Sequence, residues 1–263
     1  MNPIASFPMQ PKRHIRYVLT DIDDTLTIHG RLPAVVFAAM EDLRRAGVRV
    51  IPITGRPAGW CDHIARMWPV DGLVGENGAF YFHYDDREKK MRRRYWKSKE
   101  ERRVDRTKLD AIREKVLAGV PGCAVAADQA YREADLAIDF CEDVPPLPMS
   151  SARAIQAIFE AAGARAKISS IHVNGWFGDY DKLSMSRLLF RDVFEEEMDA
   201  LREQVVFCGD SPNDSPMFDF FPHSVGVANV LTFGAQLEAS PTWVTPSEGG
   251  FGFAEMVKVL LDR

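Results

Sequence analysis

No uninterrupted apolar run in the 263-residue chain reaches the roughly 18 residues needed to cross a bilayer. The opening stretch MNPIASFPMQPKRHIR holds no apolar segment of signal-peptide length followed by a small-residue cleavage site. A cytoplasmic protein without membrane contact is therefore expected. Cysteine is scarce: Cys61, Cys123, Cys141 and Cys208 stand far apart with no CxxC pair. That argues against a disulfide scaffold or a thiolate metal site and suits a reducing compartment. Positive charge is not in excess, with 33 Lys+Arg against 38 Asp+Glu for a net of -5, so the chain as a whole has no pull toward nucleic acid. Repeats and low-complexity segments are missing as well. What is present is an ordinary globular composition, 46% hydrophobic and 27% charged, in a length that at about 150 residues per domain admits one large domain or two smaller ones.

Short β-branched runs bounded by turn residues predict buried strands at Ile15 to Thr20, Val48 to Thr54, Gly72 to Val74 and Gln204 to Cys208. Between the first two, Val35, Val36, Ala39, Met40 and Leu43 recur at helical spacing behind Pro33 and end before Gly47. A second helix over Pro57 to Trp68 completes a βαβαβ pattern, which implies a doubly wound α/β fold with a mostly parallel sheet. The pattern then changes. Two strands flanking DDREKK, helices over Val104 to Leu117 and Ser151 to Ala162, and strands near Cys123 to Ala127, Leu136 to Phe140 and Ser169 to Val173 describe an α+β unit. Alternation returns after Lys182, with a helix at Leu183 to Val193, a strand at Ser224 to Val227 and helices at Ser215 to Phe221, Phe233 to Glu238 and Phe253 to Leu261. The expected division is a core of residues 1–81 and 180–263 interrupted by an insertion at 82–179. From Arg87 to Lys108 the chain carries a local net of +8. A solvated face accounts for this run, since no nucleic-acid motif surrounds it; an anion-attracting surface is the alternative.

Four constellations carry chemistry. The strand Tyr17-Val-Leu-Thr runs into Asp21, Asp23 and Asp24, a costly burial of charge unless something cationic meets it. Alternation puts Asp21 and Asp23 on one side, at the strand end where open α/β sheets bind ligands. Val206-Phe-Cys-Gly209-Asp210-Ser-Pro-Asn213-Asp214 again ends a strand in acids, with oxygen donors of the kind Mg²⁺ prefers, although helix capping also accounts for Asp214. In Ile53-Thr54-Gly55-Arg56-Pro57 a hydroxyl and a glycine precede a helix start, an anion cradle or an ordinary turn. Lys182 opens a helix, where a lone lysine is most often a surface charge.

Together, and in this order, DxDxT, T-G-R, K and GDxxND resemble the motifs of the haloacid dehalogenase superfamily of phosphohydrolases. The resemblance spans the chain, and the interruption is similar to that superfamily's C2-type α+β cap, most of all in the Cof-type group, subfamily IIB. Gly75-Glu-Asn77-Gly-Ala79 also resembles that group's strand-end Asn-Gly-Ala, while Asp24 stands where Gly is frequent. The resemblance implies Asp21 as nucleophile, Asp23 as general acid and base, Thr54 and Lys182 as phosphate-binding catalytic residues, and Mg²⁺ held by Asp21, Asp23 and Asp210 with Asp214 behind. Gly55, Arg56, Asn77 and Asn213 are candidate substrate contacts, joined on the cap by His172 and Asn174, which share one face of an expected strand. The function implied is Mg²⁺-dependent hydrolysis of a small phosphorylated metabolite, a sugar phosphate foremost, by a monomer or homodimer. A phosphomutase, a receiver-like phosphoryl-accepting domain and a noncatalytic sugar-phosphate binder are the alternatives; neither substrate nor oligomeric state is written in the motifs.

Overall fold

The computed structural model describes residues 1–262. A short edge strand β1 (Asn2–Pro3) and a single helical turn α1 (Met9–Lys12) precede β2 (Tyr17–Thr20), α2 (Ala34–Arg45), β3 (Arg49–Pro52), α3 (Ala58–Met67) and β4 (Leu73–Gly75). The hairpin β5 (Phe80–Asp85) and β6 (Lys90–Tyr95) follows. Next come α4 (Lys99–Gly119), β7 (Ala124–Val125), β8 (Leu136–Asp139), α5 (Met149–Ala161), β9 (Arg165–Ile168) and β10 (His172–Trp176). The chain closes with α6 (Lys182–Leu189), β11 (Val205–Gly209), α7 (Ser215–Phe220), β12 (His223–Gly226), β13 (Trp243–Val244) and α8 (Gly249–Leu261).

Six parallel strands form the main sheet in the order β1-β13-β12-β11-β2-β3. Side-chain alternation divides the central strands between two apolar layers. Val18, Val206 and Cys208 pack with α2, α3 and α8, while Tyr17, Leu19, Val205 and Phe207 pack with α6 and α7. Both faces are thus covered, which is why β2 and β11 read as continuous apolar runs. β4 joins at the β3 edge through the single bridge Ile53 to Val74, and the hairpin continues antiparallel from β4. Phe80 and Phe82 sink into the same apolar layer as α3, so the hairpin packs on the main sheet.

A separate four-stranded antiparallel sheet, β7-β8-β10-β9, carries α4 and α5 on one face over its own apolar cluster of Leu109, Ile112, Ile138, Ile155 and Phe159. The strand expected at Ser169 to Val173 begins later, at His172 in β10, with residues 169–171 forming the turn from β9, and β9 itself carries too short and too polar a signal (Arg-Ala-Lys-Ile) to be read in advance. Phe233 to Glu238 is built of short 3-10 turns rather than a continuous helix. Among the described residues no helix is long and apolar enough to cross a membrane. Gly78, just before the hairpin, and Asp181, just before α6, touch: a Cβ on Gly78, whose φ is +110°, would run into the Asp181 backbone. The basic run lies along β6 and α4, where acids meet it: Arg92 pairs with Asp85 and Glu88, Arg94 with Asp192, and Lys97 with Asp105.

Candidate active site

The carboxyl ends of β2, β3 and β11, with the first turn of α6, converge on one buried spot. β2 delivers Asp21, whose amide donates to Cys208 O at 2.9 Å and so locks the turn to β11. Asp24, two residues before the apolar Leu26, has φ +54°, a left-handed conformation that aspartate tolerates and most side chains do not. α6 is started by a capping box in which the Asp181 side chain accepts from Ser184 N at 2.7 Å and Ser184 Oγ accepts from Asp181 N at 2.9 Å. That box fixes the first helical residue, Lys182, whose ammonium is buried 3.2 Å from Asp21 Oδ1 and donates to Asp214 Oδ1 at 2.7 Å. A lone lysine in the sequence here faces two carboxylates.

Carboxylate oxygens of Asp21, Asp210 and Asp214 all lie within 4.8 Å of one another, and all three residues are buried. Asp210 accepts from Thr25 Oγ1 at 3.0 Å and Asn229 Nδ2 at 3.3 Å. Asp214 uses its second oxygen on the backbone amides of Asp210 and Ser211, at 3.1 and 3.4 Å. Burial pushes the Asp21 carboxyl up, Lys182 pulls it down, and Asp214 and Asp23 push it up again. Asp210 is driven well above the usual carboxylate range by burial and then by Asp214, Asp21 and Asp24. Burial alone lowers the Lys182 ammonium, but Asp21 and Asp214 outweigh it and the net shift is upward. Three buried acids against one lysine is an excess of negative charge on hard oxygen donors, an arrangement that fits a small divalent cation.

Thr54 is fully buried at the end of β3; its hydroxyl oxygen accepts from Arg56 N at 3.0 Å, which leaves the hydroxyl proton to donate elsewhere. Gly55 lets the Asn77 amide approach: a Cβ there would meet Asn77 Nδ2 at 3.2 Å. Asn77, itself at φ +54°, donates its backbone N-H to Thr54 O at 3.0 Å. Asn213, whose side-chain oxygen accepts from Ser211 Oγ, lines a cleft with Asn77 and Lys182.

Arg56 does not extend toward Asp21. Its Nε spans both Asp23 oxygens at 3.0 and 2.9 Å, its Nη2 reaches Glu142 at 2.7 Å, and its Nη1 lies 3.5 Å from Asp128. The guanidinium lies over the Trp60 ring, 4.5 Å from its centroid. Glu142 belongs to the α+β unit, so Arg56 ties Asp23 to the opposing surface. His172 follows in the same chain, with Nε2 2.9 Å from Glu142 Oε2 though not aligned for a hydrogen bond. His172 and then Arg56 hold Glu142 down at about 2 against the opposing effect of burial. Asn174 is placed differently: its side-chain nitrogen donates to Asp135 Oδ2 at 2.9 Å, away from Asp21.

That bond belongs to a second buried cluster which the motifs do not announce. Arg132 forks between Asp128 and Asp135 at 2.9 to 3.1 Å and also donates to Gly55 O at 2.9 Å. Glu76 accepts from the backbone amides of Ala58, Glu133, Ala134 and Asp135. Glu76 lies inside the Gly-Glu-Asn-Gly-Ala stretch and Thr25 inside the first motif, so both were within view of a motif reading. Arg132, Glu142 and Asn229 have no local signal, because only tertiary packing brings them here.

No protein-family model and no curated protein matches the chain. Solved structures do. A Thermoplasma acidophilum protein superposes with a TM-score of 0.69 at 18% identity, over 94% of this chain and 98% of that one. The sucrose-phosphatase of Synechocystis sp. PCC6803, solved with sucrose and phosphate, gives 0.63 at 15% identity, over 94% and 98%. A HAD subclass IIB sugar phosphatase gives 0.62 at 15% identity, over 92% and 98%. Across more than nine-tenths of its length the chain therefore has the fold of these haloacid dehalogenase superfamily structures, a Rossmann-like parallel core with an α+β cap.

Proposed function

We propose that the protein is a phosphatase of the haloacid dehalogenase type that hydrolyses a small phosphate monoester, with Mg²⁺ as cofactor and a sugar phosphate as the leading substrate class. The observation that carries this reading is the convergence of Lys182 on Asp21 at 3.2 Å, beside Asp210, from three distant parts of the chain. The fold likeness to sugar phosphatases supports it.

In this reading an Asp21 oxygen attacks phosphorus in line as the bond to the leaving alcohol breaks, and Asp23 gives its proton to the departing oxygen. Water then attacks the aspartyl-phosphate, Asp23 takes the water proton, and the phosphorus bond to Asp21 breaks, returning both carboxyl groups to their starting states. Splitting one displacement into two lowers each barrier. Lys182 neutralises charge on phosphate and nucleophile together, and Thr54 donates its hydroxyl proton to a phosphate oxygen. Asp21 and Asp210, with the Asp23 backbone carbonyl, would hold the Mg²⁺, and Asp214 would orient Lys182 from behind. Bound there, the ion offsets repulsion between anionic nucleophile and phosphate dianion. The clamp from Arg56 fixes where the Asp23 carboxyl sits, and so which side of the phosphate its proton serves.

Steady-state phosphate release over a panel of phosphorylated sugars, polyols, nucleotides and acids, with Mg²⁺ and then with EDTA, tests the proposal. Metal-dependent release that disappears in Asp21→Asn is expected; isomerisation without release moves the protein to the mutases.

A further inference from the structure

Among the clefts that reach residues of the candidate site, two larger ones share no lining residue, while a smaller one of about 200 Å³ holds Asp24 and Asp210. One of the larger two, of about 520 Å³, contains Lys182, Asn77 and Asn213 and is bordered by Arg165 and Lys167 of the cap. The other, of about 500 Å³, contains Asp23 and has a different chemistry. Its lining includes Ile22, Trp60, Trp68, Tyr131 and His63. Among the described residues no lysine or arginine lines it. Both volumes lie in the range of small-molecule sites.

Trp60 and Tyr131 are 43% and 58% exposed, so two large aromatic faces are held open to water inside a concave site. The cavity is also built from both halves of the molecule. Trp60, His63 and Trp68 belong to α3 and the turn just after it, whereas Tyr131 belongs to the cap. Gly59 makes the meeting possible, because a Cβ there would lie 2.9 Å from Tyr131 Cβ. One face of Trp60 is covered by the Arg56 guanidinium, and that cation is already engaged by Asp23, Glu142 and Asp128. Among the described residues the only carboxyl group on the lining is that of Asp23.

A group that receives a proton from Asp23 must place its oxygen within hydrogen-bond reach of that carboxyl. Whatever the oxygen is attached to extends into the cavity that Asp23 lines. We propose that this cavity is the leaving-group site, and that it selects an uncharged ring with an apolar face while disfavouring a second anionic group. The inference rests on the phosphatase reading for the role of Asp23 and goes beyond it in naming the chemistry of the leaving group.

The test is calorimetric binding to the Asp21→Asn protein in Mg²⁺, using phenyl phosphate, glucose 6-phosphate and phosphoglycolate. At least one ring compound should bind about tenfold tighter than phosphoglycolate, the worth of roughly one good aromatic contact. In the same background Trp60→Ala and Tyr131→Ala should each shrink that gap severalfold, and Trp60→Phe should keep it. Which ring wins assigns an arene or a pyranose face. Equal affinity for phosphoglycolate, or a gap that survives Trp60→Ala, overturns the proposal. Phosphate release from acetyl phosphate by the unsubstituted protein is measured alongside. Its absence defeats the phosphatase reading, while the binding gap still decides the cavity.

Discussion

Two buried charge clusters lie close together, each with three acids and one base, and they are built to opposite ends. In the cluster around Arg132, the acids Glu76, Asp128 and Asp135 are met by four backbone amides, the Asn174 amide and a fully used guanidinium fork. In the cluster around Lys182, Asp21 receives little beyond the ammonium itself, and three carboxylates face one another. Charge count alone does not separate a structural cluster from the one proposed to be catalytic. What separates them is how many lone pairs the chain has already satisfied: a filled network rigidifies, whereas an underfilled one holds unspent interaction energy for a ligand.

The comparison is broken most severely at Asp21. Asp21→Asn should lower turnover to below about 10⁻⁴ of the unsubstituted protein, the scale seen when a nucleophile is removed. Its melting temperature in EDTA should not fall, since an unfavourable charge is lost; a drop would place Asp21 with the structural cluster. Arg132→Met should do the reverse, costing about 3–5 kcal/mol in urea unfolding by leaving buried acids unpaired. Lys182→Met should reduce kcat roughly 10² to 10³-fold; a rate within a factor of two of the original would remove the lysine from the mechanism.

Stability against pH sharpens the contrast. Burial, opposed by Lys182 and reinforced by Asp214 and Asp23, raises the folded Asp21 carboxyl from its ordinary 3.8 to about 7. The folded state therefore holds a proton that the unfolded state releases, and in EDTA the Asp21 contribution to stability should fall as pH rises from about 4 to about 7 and then level off. Glu76 is also raised to about 7, chiefly by burial and then by Asp135. Mg²⁺ should remove the Asp21 share of the slope and leave the Glu76 share, read as the change in chemical-denaturation midpoint with pH. The smallest effect belongs to the basic run: Arg92→Ala, on an exposed pair with Asp85 and Glu88, should leave the melting temperature unchanged within error.

Parallel strands buried on both faces announce themselves, so β2, β3, β11 and the helices between them were legible, as were the residues at their carboxyl ends. Asp21 and Asp210 could be placed because strand ends are local events, whereas Lys182 was named only through the motif resemblance. The cap partners of Arg56, a candidate substrate contact in the sequence, were not legible, because Glu142 and Asp128 are brought to it only by tertiary packing. The alternation of His172 and Asn174 correctly put them on one strand face. It could not say that one would meet Glu142 and the other Asp135, two residues whose positions depend on separate turns. β9 escaped because a four-residue strand with two basic side chains carries almost no periodic signal.

The touch between Gly78 and Asp181 bears on how the chain folds. The central pairing of Tyr17 with Val205 joins segments separated by the whole cap, and a loop of that length slows the search for contact. Once the cap has packed on its own apolar cluster and the segments around Phe80 and Tyr180 have packed on the core, Gly78 and Asp181 are in contact, and the remaining search behaves like that of a much shorter chain. Synthesis from the amino terminus completes the cap before β11 emerges, so the order of translation and the order of loop closure coincide. An enlarged side chain at Gly78 is then expected to slow the formation of the β2 to β11 pairing as well as weaken it.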